Sequence, residues 1–134
     1  MSITQTRIAK IGVVCVPVTD QDRAFEFYSD VLGFEKRADV PFGNGDRWLE
    51  VAPPGADTTI AIVKPPPGNP TGGTQTGIGL QTTDIDALHA DLKARGVDVD
   101  DEVSRMGGPV PPLLWFRDPD ANVLMVVEVP ETES

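Results

Sequence analysis

One strand–helix pattern occurs twice in this chain, and that repeat constrains the fold more than any other feature. The two copies are VVCVPVTDQDRAFEFYSDVLGF at residues 13–34 and GIGLQTTDIDALHADLKARGV at residues 77–97. In each copy an apolar run leads into Thr-Asp, an amphipathic helical pattern follows, and a glycine ends it. An internal repeat of this kind predicts two copies of one supersecondary unit.

The start and stop signals of the two predicted helices match. Thr19 and Thr83 are the predicted N-caps, and Gly33 and Gly96 are the predicted stops. Apolar, β-branched runs predict the strands. In the first half these cover residues 11–18, 34–40, 47–52 and 58–63, and in the second half residues 76–81, 97–103, 113–117 and 122–129.

A proline- and glycine-rich segment, KPPPGNPTGG at residues 64–73, separates the halves, because neither a helix nor a strand continues through it. Each half then has the order β-α-β-β-β. We predict an α+β fold in one domain over residues 1–134, with module 8–64 and module 74–130 joined by the linker 65–73.

Composition excludes several classes of protein. A length of 134 residues suits one domain, and a net charge of −10 argues against nucleic acid as a partner. No apolar run is long enough to cross a membrane, and the N-terminus lacks a signal-peptide core. The single Cys15 excludes an intrachain disulfide, so we expect a cytoplasmic protein.

With these motifs in view, the chain resembles the vicinal oxygen chelate superfamily, which comprises the glyoxalase, bleomycin-resistance and extradiol-dioxygenase proteins. VTDQDRAFEFYSDVLGF, TTDIDALHADLKARGV and WFRDPDANVLMVVE carry the resemblance, which covers residues 8–129. It implies paired βαβββ modules that form a curved mixed sheet around a cleft, commonly completed by a homodimer. Members include metal-dependent isomerases, dioxygenases, thiol transferases and metal-free antibiotic-sequestering proteins, so the fold leaves the function open.

The resemblance also implies where a metal would be held. Metal-dependent members carry one ligand on the first and one on the last strand of each module, and these positions fall at Val13, Ile60 (give or take one residue), Gly77 and Met125. None has an imidazole or a carboxylate, whereas a catalytic divalent ion needs about three nitrogen, oxygen or thiolate ligands. We therefore expect no metal and no other cofactor.

Two further residues have side chains that could bind metal. His89, the only histidine, lies on the second predicted helix and is interpreted as a boundary or surface residue. Cys15 shares the strand face of Val13 because side chains alternate along a strand. No Lys, Arg or His adjoins Cys15 in the sequence, which favours a cleft-lining or core thiol over a reactive one.

Hairpin register predicts which side chains face the cleft. If residues 118–121 form a type I turn closed by a bulge, Trp115 pairs with Met125, and the same register places Glu50 opposite Ile60. A slip of one residue would turn these side chains outward. Ala121 replaces the glycine common at this turn, at a cost of about 1 kcal/mol. The predicted ligand-binding residues are Val13, Cys15, Trp48, Glu50, Ile60, Gly77, Gly79, Leu113, Trp115 and Met125.

These residues predict a metal-free, homodimeric protein that binds a small aromatic or cationic molecule in an apolar cleft. Tryptophan faces would hold the ligand and Glu50 would supply a counter-charge. The alternative is a lyase or isomerase, either with Glu50 transferring a proton at a raised pKa or with a non-standard metal site. Core packing of the tryptophans and a protein that serves only as an interaction module also stay open.

Overall fold

The same order of elements occurs twice in the structure. The computed structural model of the chain describes residues 6–41, 43 and 45–131. The first half contains β1 (Val13–Pro17), α1 (Gln21–Glu26) with a π-helix (Phe27–Val31), β2 (Glu35–Pro41), β3 (Arg47–Ala52) and β4 (Thr59–Val63). The second half contains β5 (Gln75–Thr82), α2 (Ile85–Ala94), β6 (Asp98–Val99), β7 (Leu113–Arg117) and β8 (Val123–Glu128). Within the described residues, neither α-helix is long and apolar enough to cross a membrane.

Each half forms its own four-stranded mixed sheet. The strand orders are β1-β4-β3-β2 and β5-β8-β7-β6, with β1/β4 and β5/β8 parallel and the other neighbours antiparallel. The helix supplies the long crossover that a parallel pair requires, and short connections suffice for the antiparallel pairs. The predicted α+β fold of two tandem βαβββ modules is confirmed.

The helix caps differ from the prediction by one residue. Asp20 and Asp84 are the N-caps, and each carboxylate accepts a hydrogen bond from the backbone N–H three residues further on, at 3.1 and 3.0 Å. The choice of Thr19 and Thr83 was therefore wrong. An ionised aspartate satisfies the same backbone donor as a threonine and also interacts favourably with the positive end of the helix.

The first helix ends in a π-helix, Phe27–Val31, that the sequence pattern did not predict. Such wide turns are rare and usually short. Within it, Tyr28 is fully buried and its hydroxyl donates to Asp118 Oδ2 at 3.0 Å. Gly33 and Gly96 follow the two helices with φ of 82° and 75°, so the predicted stops are confirmed.

The strand predicted at residues 97–103 is reduced to the two residues Asp98–Val99. Three consecutive acidic residues follow, Asp100, Asp101 and Glu102. Acidic residues are depleted in strands, and this run prevents the strand from continuing.

One hydrophobic core serves both modules. The helix-facing sides of the two sheets supply most of it, and the buried side chains include Leu49, Ile60, Ile62, Leu114, Phe116, Leu124 and Val126. The rings of Phe27 and Phe116 lie 6.3 Å apart, which joins the first helix to the second sheet. The modules thus pack against each other within one chain, and the opposite side of each sheet stays outside the core.

The turn between β7 and β8 holds an alanine in a left-handed conformation. Ala121 has φ of 63°, and its N–H donates to the carbonyl of Asp118 at 2.8 Å. Asp118 N–H in turn donates to the carbonyl of Asn122 at 3.0 Å, which closes the hairpin in the predicted register.

Replacing Ala121 with glycine is therefore expected to raise the free energy of unfolding by about 0.5–1 kcal/mol. Glycine removes the strain of the left-handed conformation, and this stabilises the fold by more than the additional conformational entropy lost by glycine destabilises it. Urea denaturation measures the change, with Ala94→Gly in the last turn of α2 as a control expected to lower stability. A lower stability for Ala121→Gly would contradict the interpretation.

Candidate functional site

The side of the first sheet that faces away from the core forms a surface that we call the first open face. Strand pairing assigns its members, because residues directly opposite share a face. They are Val13, Cys15, Pro17, Glu35, Ala38, Val40, Trp48, Glu50, Ala52, Thr59, Ala61 and Val63. Thr59 and Ala61 are buried beneath their neighbours, Trp48 and Glu50 are half-buried, and Val13 is 41% exposed.

Glu50 is held at the centre of this face by two hydrogen bonds. Thr59 Oγ1 donates to Oε1 at 2.7 Å, and Trp48 Nε1 donates to Oε2 at 2.5 Å. The bond from Thr59, and then the bond from Trp48, lower the pKa of Glu50 below its usual value, although burial opposes them. The carboxylate is therefore ionised at neutral pH, whereas the proton-transfer alternative requires a raised pKa.

The predicted place of Ile60 on this face was wrong by one residue. Ile60 pairs with Val51, is 3% exposed and belongs to the core, whereas Ala61 pairs with Glu50. The β3–β4 connection covers residues 53–58 and the β7–β8 connection only residues 118–122. The first is therefore one residue longer, and a shift of one residue moves a side chain to the other face.

The second sheet presents a corresponding surface, the second open face. Trp115 pairs with Met125 as predicted. The members of this face are Gln75, Gly79, Gln81, Asp98, Leu113, Trp115, Arg117, Val123, Met125 and Val127. A Cβ at Gly79 would lie 3.3 Å from Met125 Cε, so this glycine makes room for the methionine side chain.

A cavity of about 820 Å³ opens between the edge strands β1 and β5. Of the ten predicted site residues, it is lined by Cys15, Ile60, Gly77 and Gly79. Trp48 and Glu50 lie on the first open face, and Leu113, Trp115 and Met125 lie on the second. A single chain therefore displays the two tryptophans on different sheets.

The side chains at the inferred metal-ligand positions do not fit the divalent metal ion that metal-dependent members of the superfamily hold. Among the described residues, no group of three or more His, Cys, Asp or Glu could hold a metal ion. The inferred ligand positions carry the alkyl groups of Val13 and Ile60, no side chain at Gly77 and the thioether of Met125. These offer no hard or borderline donor.

His89 has a structural contact instead. Its Nε2 lies 2.7 Å from the backbone oxygen of Asp100, which only accepts hydrogen bonds, so this nitrogen carries a proton. The half-buried ring links α2 to the segment that follows β6. The Asp100 carboxylate also accepts a hydrogen bond from Arg117 at 2.9 Å. The guanidinium on the second open face is therefore already paired with an acidic side chain.

Sequence reasoning missed Thr59, the residue that fixes Glu50. The register that pairs Trp115 with Met125, applied unchanged to the first hairpin, predicts Ile60 opposite Glu50. Counting the extra residue of the β3–β4 connection would have placed Thr59 and Ala61 on the face of Glu50.

The fold and the paired open faces agree with one family. The model of the Glyoxalase/Bleomycin resistance protein/Dioxygenase superfamily matches residues 10–126. The chain therefore belongs to this superfamily, as its sequence resemblance implied. It is 33% identical over 121 residues to the protein YetH of Bacillus subtilis, covering 90% of this chain and 99% of that protein.

Solved structures of the same superfamily are similar over nearly the whole chain. TnmS3 from Streptomyces sp. CB03234, an antibiotic binding protein, superposes with a TM-score of 0.81 at 40% identity, covering 92% of this chain and 98% of its own. A member from Sphaerobacter thermophilus gives a TM-score of 0.84 at 36% identity, covering 92% and 100%. The superfamily and its paired-module fold are thus established for this chain.

Proposed function

We propose that this protein binds a small organic molecule, aromatic or cationic, without a metal, and that a homodimer completes the site. The observation that carries the proposal is that both tryptophans lie outside the hydrophobic core. Trp48 and Trp115 each lie half-buried on a sheet face that the shared core does not use. A flat indole on such a surface can hold an aromatic ring or a cation.

The surroundings of each tryptophan support a ligand that is mostly apolar. Val40 lies opposite Trp48 and is 50% exposed, and Leu113 lies two residues from Trp115 on the same face. Burial of apolar surface by a ligand contributes roughly 25 cal/mol per Å² before the cost of association is subtracted. The likeness to TnmS3, an antibiotic binding protein, points in the same direction.

A second copy of the chain is part of the proposal because the two faces lie on separate sheets. β1 and β5 are edge strands, each with one side paired in its own sheet. Ile11 and Val13 near this edge are 73% and 41% exposed. A homodimer that covers these residues would bring the first open face of one protomer towards the second open face of the other.

A ligand screen followed by tryptophan fluorescence tests the proposal directly. The chain has two tryptophans, so a change in emission reports on the two open faces alone. Trp48→Ala and Trp115→Ala are each expected to weaken affinity about tenfold or more, because each removes a stacking surface. Trp48→Phe and Trp115→Phe are the controls that retain a ring.

Native mass spectrometry of the same samples should show a dimer that carries ligand and no metal. The proposal fails if a broad set of aromatic and cationic compounds leaves the fluorescence unchanged. It also fails if both alanine variants bind as tightly as the wild type.

A further inference from the structure

The first open face carries two carboxylates, and only one of them is paired with a cation. Glu35, at the end of β2, pairs with Arg37 at 2.6 Å, whereas Glu50 lies among apolar and hydroxyl-bearing side chains and the Cys15 thiol. The other nearby cations lie on the helix side of the sheet. Lys36 Nζ stands 5.5 Å from the ring centre of Phe25, and Arg47 pairs with Asp22 at 2.7 Å. Among the described residues, Glu50 forms no ion pair.

The position of this carboxylate is set in advance. Each oxygen of Glu50 accepts one hydrogen bond, from Thr59 on the neighbouring strand and from Trp48 on the same strand. A carboxylate oxygen has two lone-pair sites, so each retains acceptor capacity for a further donor. A charge that is already oriented costs little additional entropy when a ligand binds.

The bond from Trp48 also affects the indole ring. It runs from Nε1 in the ring plane, so it does not use the faces of the ring. Donation of an N–H to an anion polarises the donor and makes its π-system more electron-rich. Such a ring attracts a cation more strongly than an indole that is hydrogen-bonded to water.

We propose that Thr59 and Glu50 make the site selective for ligands that carry a positive charge. Glu50 would pair with the charged group of the ligand while Trp48 lies beside it, and Thr59 is the positioning residue that holds the carboxylate. The inference rests on the proposed function, because it requires the first open face to be part of the ligand site. It goes further by choosing the cationic class over the neutral aromatic class.

The pH dependence of binding follows from the same contacts. On this face the neighbouring strands add the Cys15 thiol on β1 and Glu35 on β2, whose carboxylate is paired with Arg37 at 2.6 Å. Since the two hydrogen bonds hold the pKa of Glu50 below 4.5, cation affinity should stay level from pH 8 to about pH 5 and fall only under more acid conditions. Removal of the Thr59 bond should raise that pKa and move the loss of affinity to higher pH.

Three planar probes of similar size test the charge preference by calorimetric titration: the cation N-methylacridinium, neutral acridone and the anion acridine carboxylate. The wild-type protein should bind the cation about tenfold more tightly than acridone, and the anion most weakly. Glu50→Gln keeps the size of the side chain and removes its charge. It should abolish the preference for the cation, so that the ratio of the affinities for N-methylacridinium and acridone falls from about ten to about one.

Thr59→Val tests the positioning role, with Thr58→Val as the matched control. The Thr58 hydroxyl donates to the backbone oxygen of Ile11 and makes no bond to Glu50. Thr59→Val should weaken cation binding about threefold at pH 7 and shift its acid limb to higher pH, whereas Thr58→Val should retain the wild-type profile. An unchanged pH profile in Thr59→Val would overturn the assignment of Thr59.

The outcomes separate this inference from the proposed function. If the wild type binds acridone and the cation equally, or if Glu50→Gln weakens both to the same extent, selectivity for charge is refuted while small-molecule binding stands. If the wild type binds none of the probes, planar aromatic binding and the cation preference are both refuted.

Discussion

Replacing Asn122 with alanine is expected to lower the free energy of unfolding by about 3 kcal/mol. Asn122 is fully buried, and its side chain joins three parts of the chain. Nδ2 donates to the backbone oxygen of Pro17 at 2.7 Å and to Asp118 Oδ2 at 3.1 Å, and Oδ1 accepts from the N–H of Thr74 at 3.2 Å. Alanine leaves these buried groups without their partner, at about 1–3 kcal/mol for each unsatisfied group.

The hydrogen bond to Pro17 connects the two modules. Pro17 lies in β1 of the first module and Asn122 in the last hairpin of the second, so the amide ties the modules together inside one chain. Urea denaturation measures the loss. Asn69→Ala, at an exposed position of the linker, is the control and should stay within about 0.5 kcal/mol of the wild type. A loss below about 1 kcal/mol for Asn122→Ala would show that the link is dispensable.

The second large effect concerns Tyr28, the only tyrosine in the chain. Burial, and then the negative charge of Asp118 and its hydrogen bond, raise the pKa of Tyr28 well above its usual 10.0. Above pH 10 the unfolded chain loses this proton and the folded chain keeps it. The stability that Tyr28 contributes is therefore complete below pH 10 and should be lost at about 1.4 kcal/mol per pH unit as the pH rises further.

Tyr28→Phe isolates this effect because every other titrating group is unchanged. At pH 7 the variant should be less stable by about 2 kcal/mol, since it lacks the donor to a charged carboxylate. The difference should shrink above pH 10 and vanish between about pH 11 and pH 12. Absorbance of tyrosinate provides a second measurement and should appear only with unfolding. Ionisation of Tyr28 in folded protein would contradict the prediction.

Sequence patterns were sufficient for the helix stops and for the face of Trp115, because the cause of each is local. Gly33 and Gly96 ended the helices as predicted, because a left-handed residue favours glycine in any context. The face of Trp115 also followed from the sequence, because the turn that sets its register lies three residues away. The prediction of Thr19 as the N-cap was wrong, because the carboxylate of the next residue, Asp20, accepts the hydrogen bond from the first turn of the helix.

The errors at the site came from the length of one connection. Ile60 was placed opposite Glu50 on the assumption that both hairpins have the same register, and a connection one residue longer turned Ile60 into the core. Thr59 was missed for the same reason. The direction of the pKa shift of Glu50 then followed from a contact that the sequence did not reveal.

The amino-acid sequence by itself determined the duplicated βαβββ modules, the superfamily and the absence of metal donors at the inferred ligand positions. Each depends on residue identity or on short-range periodicity. Only the tertiary structure decided which sheet faces are shared in the core, that Trp48 and Trp115 lie on different sheets, and that Glu50 is bound by Thr59. These depend on contacts between distant segments and on strand register, and a single added residue in a connection is enough to move the side chains of a strand to the other face of the sheet.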